Sequence, residues 1–140
     1  MPKKHYLGSC HCKAVRYEVD LDLAKGTNRC NCSICWKARA WFAFAGGNDF
    51  KLLTSLDEMS AYQWTPPGHP GPGLTYRFCK HCGIRIYATG EHESMGGRFY
   101  ALHVPTLDDV AIDELAVAPL RFRDNLHDKA DREPQDTRLL

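Results

Sequence analysis

The sequence lacks several features that would each point to a class of function. No apolar run approaches the roughly twenty residues of a membrane-spanning helix, so no membrane span is expected. Lys and Arg number 18 against 17 Asp and Glu, and no basic run is present, which argues against nucleic acid as a partner. No apolar segment typical of a signal peptide follows Met1. A cytoplasmic location, where thiols stay reduced, is therefore expected.

Helical periodicity is also scarce, and short alternating segments take its place. Val15, Tyr17 and Val19 alternate with charged residues, which is the period of two expected for a half-buried strand. Similar short runs, most of them separated by turn residues, occur at 41–44, 50–53, 59–64, 74–78, 84–88 and 98–104. Only 33–40 and 107–115 suit short helices. The sequence therefore predicts a mainly β fold with one or two short helices.

No internal repeat or linker divides the chain. The Pro/Gly-rich stretch 65–73 indicates a loop, because strand-like patterns resume on both sides of it. We expect a single domain over residues 1–140, with its core at about 7–122. The tail, 123–140, is charged and poor in apolar residues, so we expect it to be frayed or laid over the surface.

The seven cysteines fall into three local clusters, in the motifs CHC, CNCSIC and CKHC. An odd number cannot be fully paired within one chain, and disulfides are not expected in a reducing compartment. Metal ligation explains both the clustering and the odd number. The cysteines are therefore interpreted as metal ligands.

Two of the clusters each provide half of a metal site. Cys79 and Cys82 have the spacer that lets one tight turn aim two sulfurs at a tetrahedral ion, and Gly83 can take the positive φ that such a turn needs. Cys10 and Cys12, two residues apart, would leave the same face of an extended strand. Together the halves would close a structural zinc site whose loss should unfold the chain. Spacing alone leaves the grouping open, since the CHC pair could also combine with the central cluster.

The central cluster contains Cys30, Cys32 and Cys35 in the order CxCxxC. These three sulfurs can converge on one ion if the chain turns into a short helix near Ser33. Three protein ligands leave a fourth coordination position for an exogenous thiol or water, which is typical of catalytic zinc. The alternatives are a closed site completed by a histidine, a site shared between copies in a homo-oligomer, or an empty pocket.

Four segments in order, GSCHCKAVRYEV, CNCSIC, FCKHCGIRIY and FYALHVPTLDD, resemble the glutathione-dependent formaldehyde-activating enzyme (Gfa) family. The zinc-binding domain of this family is shared with centromere protein V. The resemblance runs from about Leu7 to about Asp109 and puts all seven cysteines on ligand positions of the family. Two departures are Trp36, directly after the central cluster, and Ile84, where many relatives have threonine.

The resemblance carries implications for fold, metals and activity. It implies an all-β, tent-like arrangement of small antiparallel sheets. It implies a structural zinc held by Cys10, Cys12, Cys79 and Cys82. It implies a second, catalytic zinc held by Cys30, Cys32 and Cys35. The implied activity is that of a carbon-sulfur lyase or synthase, which joins glutathione or another small thiol to formaldehyde or a related aldehyde. No catalytic residue beyond the metal ligands is implied.

The competing hypothesis is a non-catalytic binding or scaffold module held together by zinc. For the enzyme hypothesis, glutathione carries two carboxylates that need basic partners, and Lys37, Arg39 and Arg85 are the candidates near the cysteine clusters. Each of them also suits a solvated surface. Trp36 and Trp41 could wall a pocket, although packing in the core is the commoner use of tryptophan.

Overall fold

The computed structural model describes residues 3–127, 129 and 131–140, and strands dominate this part of the chain. The strands are β1 (Lys4–Ser9), β2 (Arg16–Leu21), β3 (Thr27–Cys30), β4 (Trp41–Gly46), β5 (Phe50–Leu52), β6 (Met59–Trp64), β7 (Leu74–Cys79), β8 (Arg85–His92), β9 (Gly97–His103) and β10 (Leu120–Arg123). The α-helices are α1 (Ser33–Ala38) and α2 (Ile112–Val117). The predicted mainly β fold with one or two short helices is confirmed.

The strands form two sheets. A three-stranded sheet has the order β1-β2-β5, and a seven-stranded sheet has the order β10-β3-β4-β9-β8-β7-β6. Paired strands are antiparallel except β10 and β3, which are parallel, with Phe122 opposite Arg29. Only antiparallel sheets were expected. Parallel strands need a long connection. β10 can pair in parallel with β3 because most of the chain lies between them.

The main core lies between the two sheets. On β2, the side chains of Tyr17, Val19 and Leu21 are 0%, 1% and 3% exposed, as the alternating pattern predicts. The Phe50 ring stacks on Tyr17 at 5.3 Å between centroids and on a tyrosine of β9 at 4.3 Å. Gly8 of β1 lies against the Tyr17 ring, where an added Cβ would be only 2.1 Å from a ring atom. Close packing of β1 on β2 therefore requires glycine at this position.

The segment 107–115 is helical only in its second half. The backbone N–H of Asp108 donates to the Leu7 carbonyl at 2.8 Å, and the Asp108 carboxylate accepts from the Ser9 hydroxyl at 2.6 Å. The Asp109 carboxylate accepts the Leu7 N–H at 2.9 Å. Because these bonds hold the aspartate pair against β1, α2 begins later than predicted.

A second apolar region surrounds the central cysteine cluster. Cys30, Cys32, Cys35 and Ala40 form one small buried group, and Tyr76, Ala88 and Ala101 form another. Ile34, Phe42 and Trp64 pack against both groups and join them. The central cysteines thus lie in an apolar setting separate from the main core. Among the described residues, no helix combines the length and the apolar character needed to cross a membrane.

Candidate metal centres

The structure brings four cysteines from two distant turns into one group, called here the four-cysteine cluster. It consists of Cys10, Cys12, Cys79 and Cys82, whose sulfurs all lie within 4.8 Å of one another. The Cys12 sulfur is 3.7 Å from that of Cys10 and 3.6 Å from that of Cys79. Cys10 and Cys79 are 2% and 0% exposed. The CHC pair therefore groups with the CKHC pair, away from the central cluster.

The CKHC turn points backbone amides at its own sulfur. The N–H groups of His81 and Cys82 both donate to the Cys79 sulfur at 3.4 Å. Gly83 has φ of 77°, the left-handed conformation expected from the sequence. A hydrogen bond from the Ile84 backbone lowers the pKa of Cys82 to about 6. The turn therefore favours the thiolate form of Cys82, the form of cysteine that binds metals.

The CHC pair lies in a turn rather than on a strand, which corrects the extended geometry expected for it. β1 ends before Cys10, whose backbone N–H donates to the Val15 carbonyl at 3.0 Å. Lys13 takes a positive φ of 70°, and the Val15 N–H donates to the Cys10 sulfur at 3.3 Å. The pair converges because the chain reverses between β1 and β2, so both halves of the cluster are hydrogen-bonded turns.

The central cluster, called here the cysteine trio, consists of Cys30, Cys32 and Cys35. Cys30 ends β3, Cys32 caps α1, and Cys35 lies within that helix. The helix begins at Ser33, as the sequence predicts, and its turn brings the three sulfurs within 4.8 Å of one another. The exposed fractions of the three side chains are 9%, 8% and 6%.

Negative charge in the trio is stabilised at Cys30. Hydrogen bonds from the Cys32 and Cys35 thiols hold the pKa of Cys30 well below its usual range. The Cys32 backbone N–H donates to the same sulfur at 3.3 Å, and the Asn125 side-chain amide does so at 3.3 Å. Asn125 had no signal in the sequence, since it lies far from the trio along the chain and in no motif.

Asn125 reaches Cys30 because the start of the tail packs on the trio. Asp124 is 3% exposed and accepts a hydrogen bond from the Asn31 side chain at 2.9 Å. The Leu126 backbone N–H donates to the Asn31 side-chain oxygen at 3.0 Å. The sequence predicts a tail that is frayed or laid over the surface. Residues 124–126 of that tail are bound to the loop that carries the trio.

Both clusters could hold a zinc ion. A tetrahedron with zinc–sulfur bonds of about 2.3 Å has sulfur–sulfur edges of about 3.8 Å, close to the 3.6 and 3.7 Å seen in the four-cysteine cluster. Thiolate is a soft ligand that suits zinc. The clusters differ in donor number: within the described part of the chain, no histidine, aspartate or glutamate joins the trio as a fourth donor.

Positive side chains gather around the trio. Arg29 and Arg39 line a small cavity with Cys30 and Cys35. Lys37 and Arg85 lie beside Ile34, which packs against the trio's buried group. The Arg29 guanidinium lies 4.9 Å from the Trp41 ring centre, and that of Arg39 lies 5.0 Å from Trp36. Among the described residues, none of the four cations forms an ion pair. These cations can offset negative charge on the thiolates of the trio.

The two tryptophans considered for the pocket lie in different surroundings. Trp41 is half-buried, packs against the main core and donates to the Thr27 hydroxyl at 2.8 Å. Trp36 is 42% exposed and lines a small cavity together with Cys30 and Cys35. Trp64, at the end of β6, also packs against the trio's buried group. The sequence carries no local signal for this contact, because contact between β6 and α1 depends on long-range packing.

A groove of about 490 Å³ opens beside the trio, between α1 and the edge strand β6. It is lined by Ser33, Ile34, Lys37, Ala38, Tyr62, Trp64 and Arg85. Ile34 and Trp64 also pack against the trio's cysteines. The groove and the trio therefore share two walls. Cys30 and Cys35 themselves line a separate, small cavity together with Arg29, Arg39 and Leu140.

The fold and its clusters define a mainly β protein with two cysteine sites suited to zinc. The family model described as glutathione-dependent formaldehyde-activating enzyme matches residues 5–121. The chain belongs to the glutathione-dependent formaldehyde-activating enzyme family.

Two relatives illustrate the match. A Halomonas elongata protein named "Putative glutathione-dependent formaldehyde-activating enzyme" is 34% identical over 84 residues, which cover 57% of this chain and 53% of that protein. The alignment thus spans about half the length of this curated relative. A crystal structure of a Rhodobacter sphaeroides protein, solved as a structural genomics target, has 26% identity and a TM-score of 0.64. The match covers 83% of this chain and 98% of that one.

Proposed function

We propose that this protein is a zinc-dependent carbon-sulfur lyase or synthase of the Gfa type. It would join the sulfur of glutathione, or of another small thiol, to the carbon of formaldehyde or a related aldehyde, or reverse that reaction. The observation that carries the proposal is the difference between the clusters: four cysteines converge in one and three in the other, beside a groove. Membership of the family supports the same reaction class.

The proposed ligands follow the two clusters. The structural zinc would be held by Cys10, Cys12, Cys79 and Cys82. The catalytic zinc would be held by Cys30, Cys32 and Cys35. When bound at the trio, zinc would supply the Lewis acidity that lowers the pKa of a thiol and polarises an aldehyde oxygen. No further residue is assigned a role in bond making.

The chain's own contribution to the proposed reaction is electrostatic. In the addition, the thiol loses its proton, a carbon-sulfur bond forms, and the carbonyl oxygen gains a proton, so nothing is oxidised or reduced. Three cysteine thiolates would leave the site negative, and the nearby guanidinium groups of Arg29 and Arg39 offset that charge. His103 stays neutral near pH 7, since burial and then the charges of Arg85 and Arg29 lower its pKa.

Asn125→Ala is expected to weaken zinc binding at the trio by roughly ten- to a hundredfold, the usual effect of losing a hydrogen bond to a metal ligand. The reason is the bond from the Asn125 amide to the Cys30 sulfur, at 3.3 Å. Titration against a chromophoric chelator measures the affinity. Leu126→Ala is the matched control, because Leu126 bonds to the trio's loop through its backbone N–H and is 60% exposed. Unchanged affinity in Asn125→Ala would show that the amide does not support the site.

Cobalt substitution tests the proposed reaction directly. Millimolar glutathione is expected to change the thiolate-to-cobalt charge-transfer absorption, whereas S-methylglutathione, which lacks a free thiol, should not. The zinc protein should also accelerate formation of the formaldehyde adduct, followed by NMR. An unchanged spectrum together with a rate equal to that in buffer would favour the scaffold module over the enzyme.

A further inference from the structure

The cavity that reaches the cysteine trio is very small. Cys30 and Cys35 line it, and its volume is about 10 Å³. A single water molecule already needs about 10–15 Å³, so no thiol fits into this cavity as it stands. The larger groove between α1 and β6 is walled by other residues. A ligand that approaches the trio's sulfurs through the small cavity therefore has to displace part of its wall.

One part of that wall comes from the tail. Leu140 lines the cavity, whereas the other lining residues belong to β3, to α1 or to the two residues after α1. Leu140 is half-buried, and its neighbour Leu139 is 70% exposed. The residues that the family model matches end at 121, so Leu140 lies outside them. The tail thus adds a wall to a site that is otherwise built within the matched region.

The beginning of the tail is firmly anchored. The carboxylate of Asp124, a residue that is 3% exposed, accepts from the Asn31 side chain at 2.9 Å. The backbone N–H of Asp124 donates to the Arg132 carbonyl at 3.1 Å, and its carbonyl accepts from the Lys129 N–H at 2.8 Å. These bonds hold the tail to the trio's loop as far as Arg132.

The rest of the tail, residues 133–140, is called here the cover segment, and it is held much less firmly. Among the described residues, its hydrogen bonds and ion pairs stay inside the segment. Arg138 pairs with Asp136 at 2.7 Å, and the Leu140 N–H donates to the Thr137 carbonyl at 3.1 Å. Contact with the domain therefore depends on half-buried side chains such as Leu140. A segment with so few buried contacts opens locally at low free energy.

We propose that the cover segment controls access to the cysteine trio, and that Leu140 must leave the cavity before a thiol-sized ligand can reach the sulfurs. The anchor at Asp124 lets the segment open and return while the trio's loop stays in place. The inference rests on the proposed function for the identity of the ligand as a thiol. Access to the sulfurs can be measured without any turnover.

Stopped-flow transfer of zinc from the trio to a chromophoric chelator measures access in the zinc-loaded protein. Leu140→Ala should speed both release and capture of zinc roughly three- to tenfold, the factor expected from losing a half-buried leucine. The dissociation constant should not change, because a cover that acts equally on the free and loaded site shifts no equilibrium. Leu140→Met, which keeps the side-chain volume, should behave like the wild type. So should Leu139→Ala, the matched control at the exposed neighbouring leucine.

Equal transfer rates in Leu140→Ala and the wild type would overturn the inference. So would a dissociation constant that rises as much as the release rate, since Leu140 would then support the site rather than cover it. If the trio holds no zinc, alkylation of Cys30 and Cys35 by N-ethylmaleimide, mapped by peptide mass spectrometry, decides by the same comparison of variants. Faster access in Leu140→Ala without adduct formation by any thiol would reject the proposed function and retain the cover. Adduct formation with equal access in both proteins would reject the cover alone.

Discussion

Cys82→Ser is expected to leave a chain that does not fold. The four-cysteine cluster connects the β1–β2 turn to the β7–β8 turn, and its proposed zinc would contribute binding energy to folding. Structural zinc contributes about 10–16 kcal/mol in small domains, which is comparable with or larger than the roughly 5–15 kcal/mol net stability of most proteins. Far-UV circular dichroism, thermal unfolding and zinc content measure the loss. Cys82 is only partly buried, so lost packing contributes little.

The control for this variant lies in the same turn. Lys80→Ser changes an exposed side chain between the two cysteines and keeps all four sulfurs. It should fold and bind zinc like the wild type. A Cys82→Ser protein that unfolds cooperatively at the wild-type temperature would show that the cluster does not hold the fold together.

Cys32→Ser is expected to give a folded protein with about one zinc per chain and with adduct formation reduced more than about a hundredfold, beyond the usual effect of a second-shell change. The trio lies in its own small buried group, separate from the main core between the sheets. Losing one of three ligands should therefore empty the site without unfolding the domain. Zinc analysis, circular dichroism and the NMR assay together measure these effects.

The two cysteine variants are matched controls for each other, since both replace a sulfur by an oxygen. Different outcomes, unfolding for Cys82→Ser and loss of activity alone for Cys32→Ser, are required by the proposal. If both variants collapse equally, the trio is structural and the enzyme proposal fails. If Cys32→Ser keeps full activity, the trio is not the site of the reaction.

Local patterns predicted the elements whose signal is periodic and missed those without one. Alternation at Tyr17 and Val19 predicted β2, because one face of that strand is buried. β1, β3 and β10 escaped prediction. The apolar residues of β1 and β3 do not alternate regularly, and β10 lies at the start of the charged tail. Their pairing depends on neighbours that are distant in the chain.

The spacing of the cysteines predicted which sulfurs within each motif point the same way, because that direction depends only on the backbone of a single turn. A two-residue spacer, a following glycine and a helix starting at Ser33 each set the direction of nearby sulfurs through local backbone geometry. The meeting of Cys10 with Cys79, the bond from Asn125 to Cys30, and the position of Arg85 over the Tyr76 ring arise from packing of the two sheets and the tail. Such contacts join residues far apart in the chain, and no local pattern encodes them.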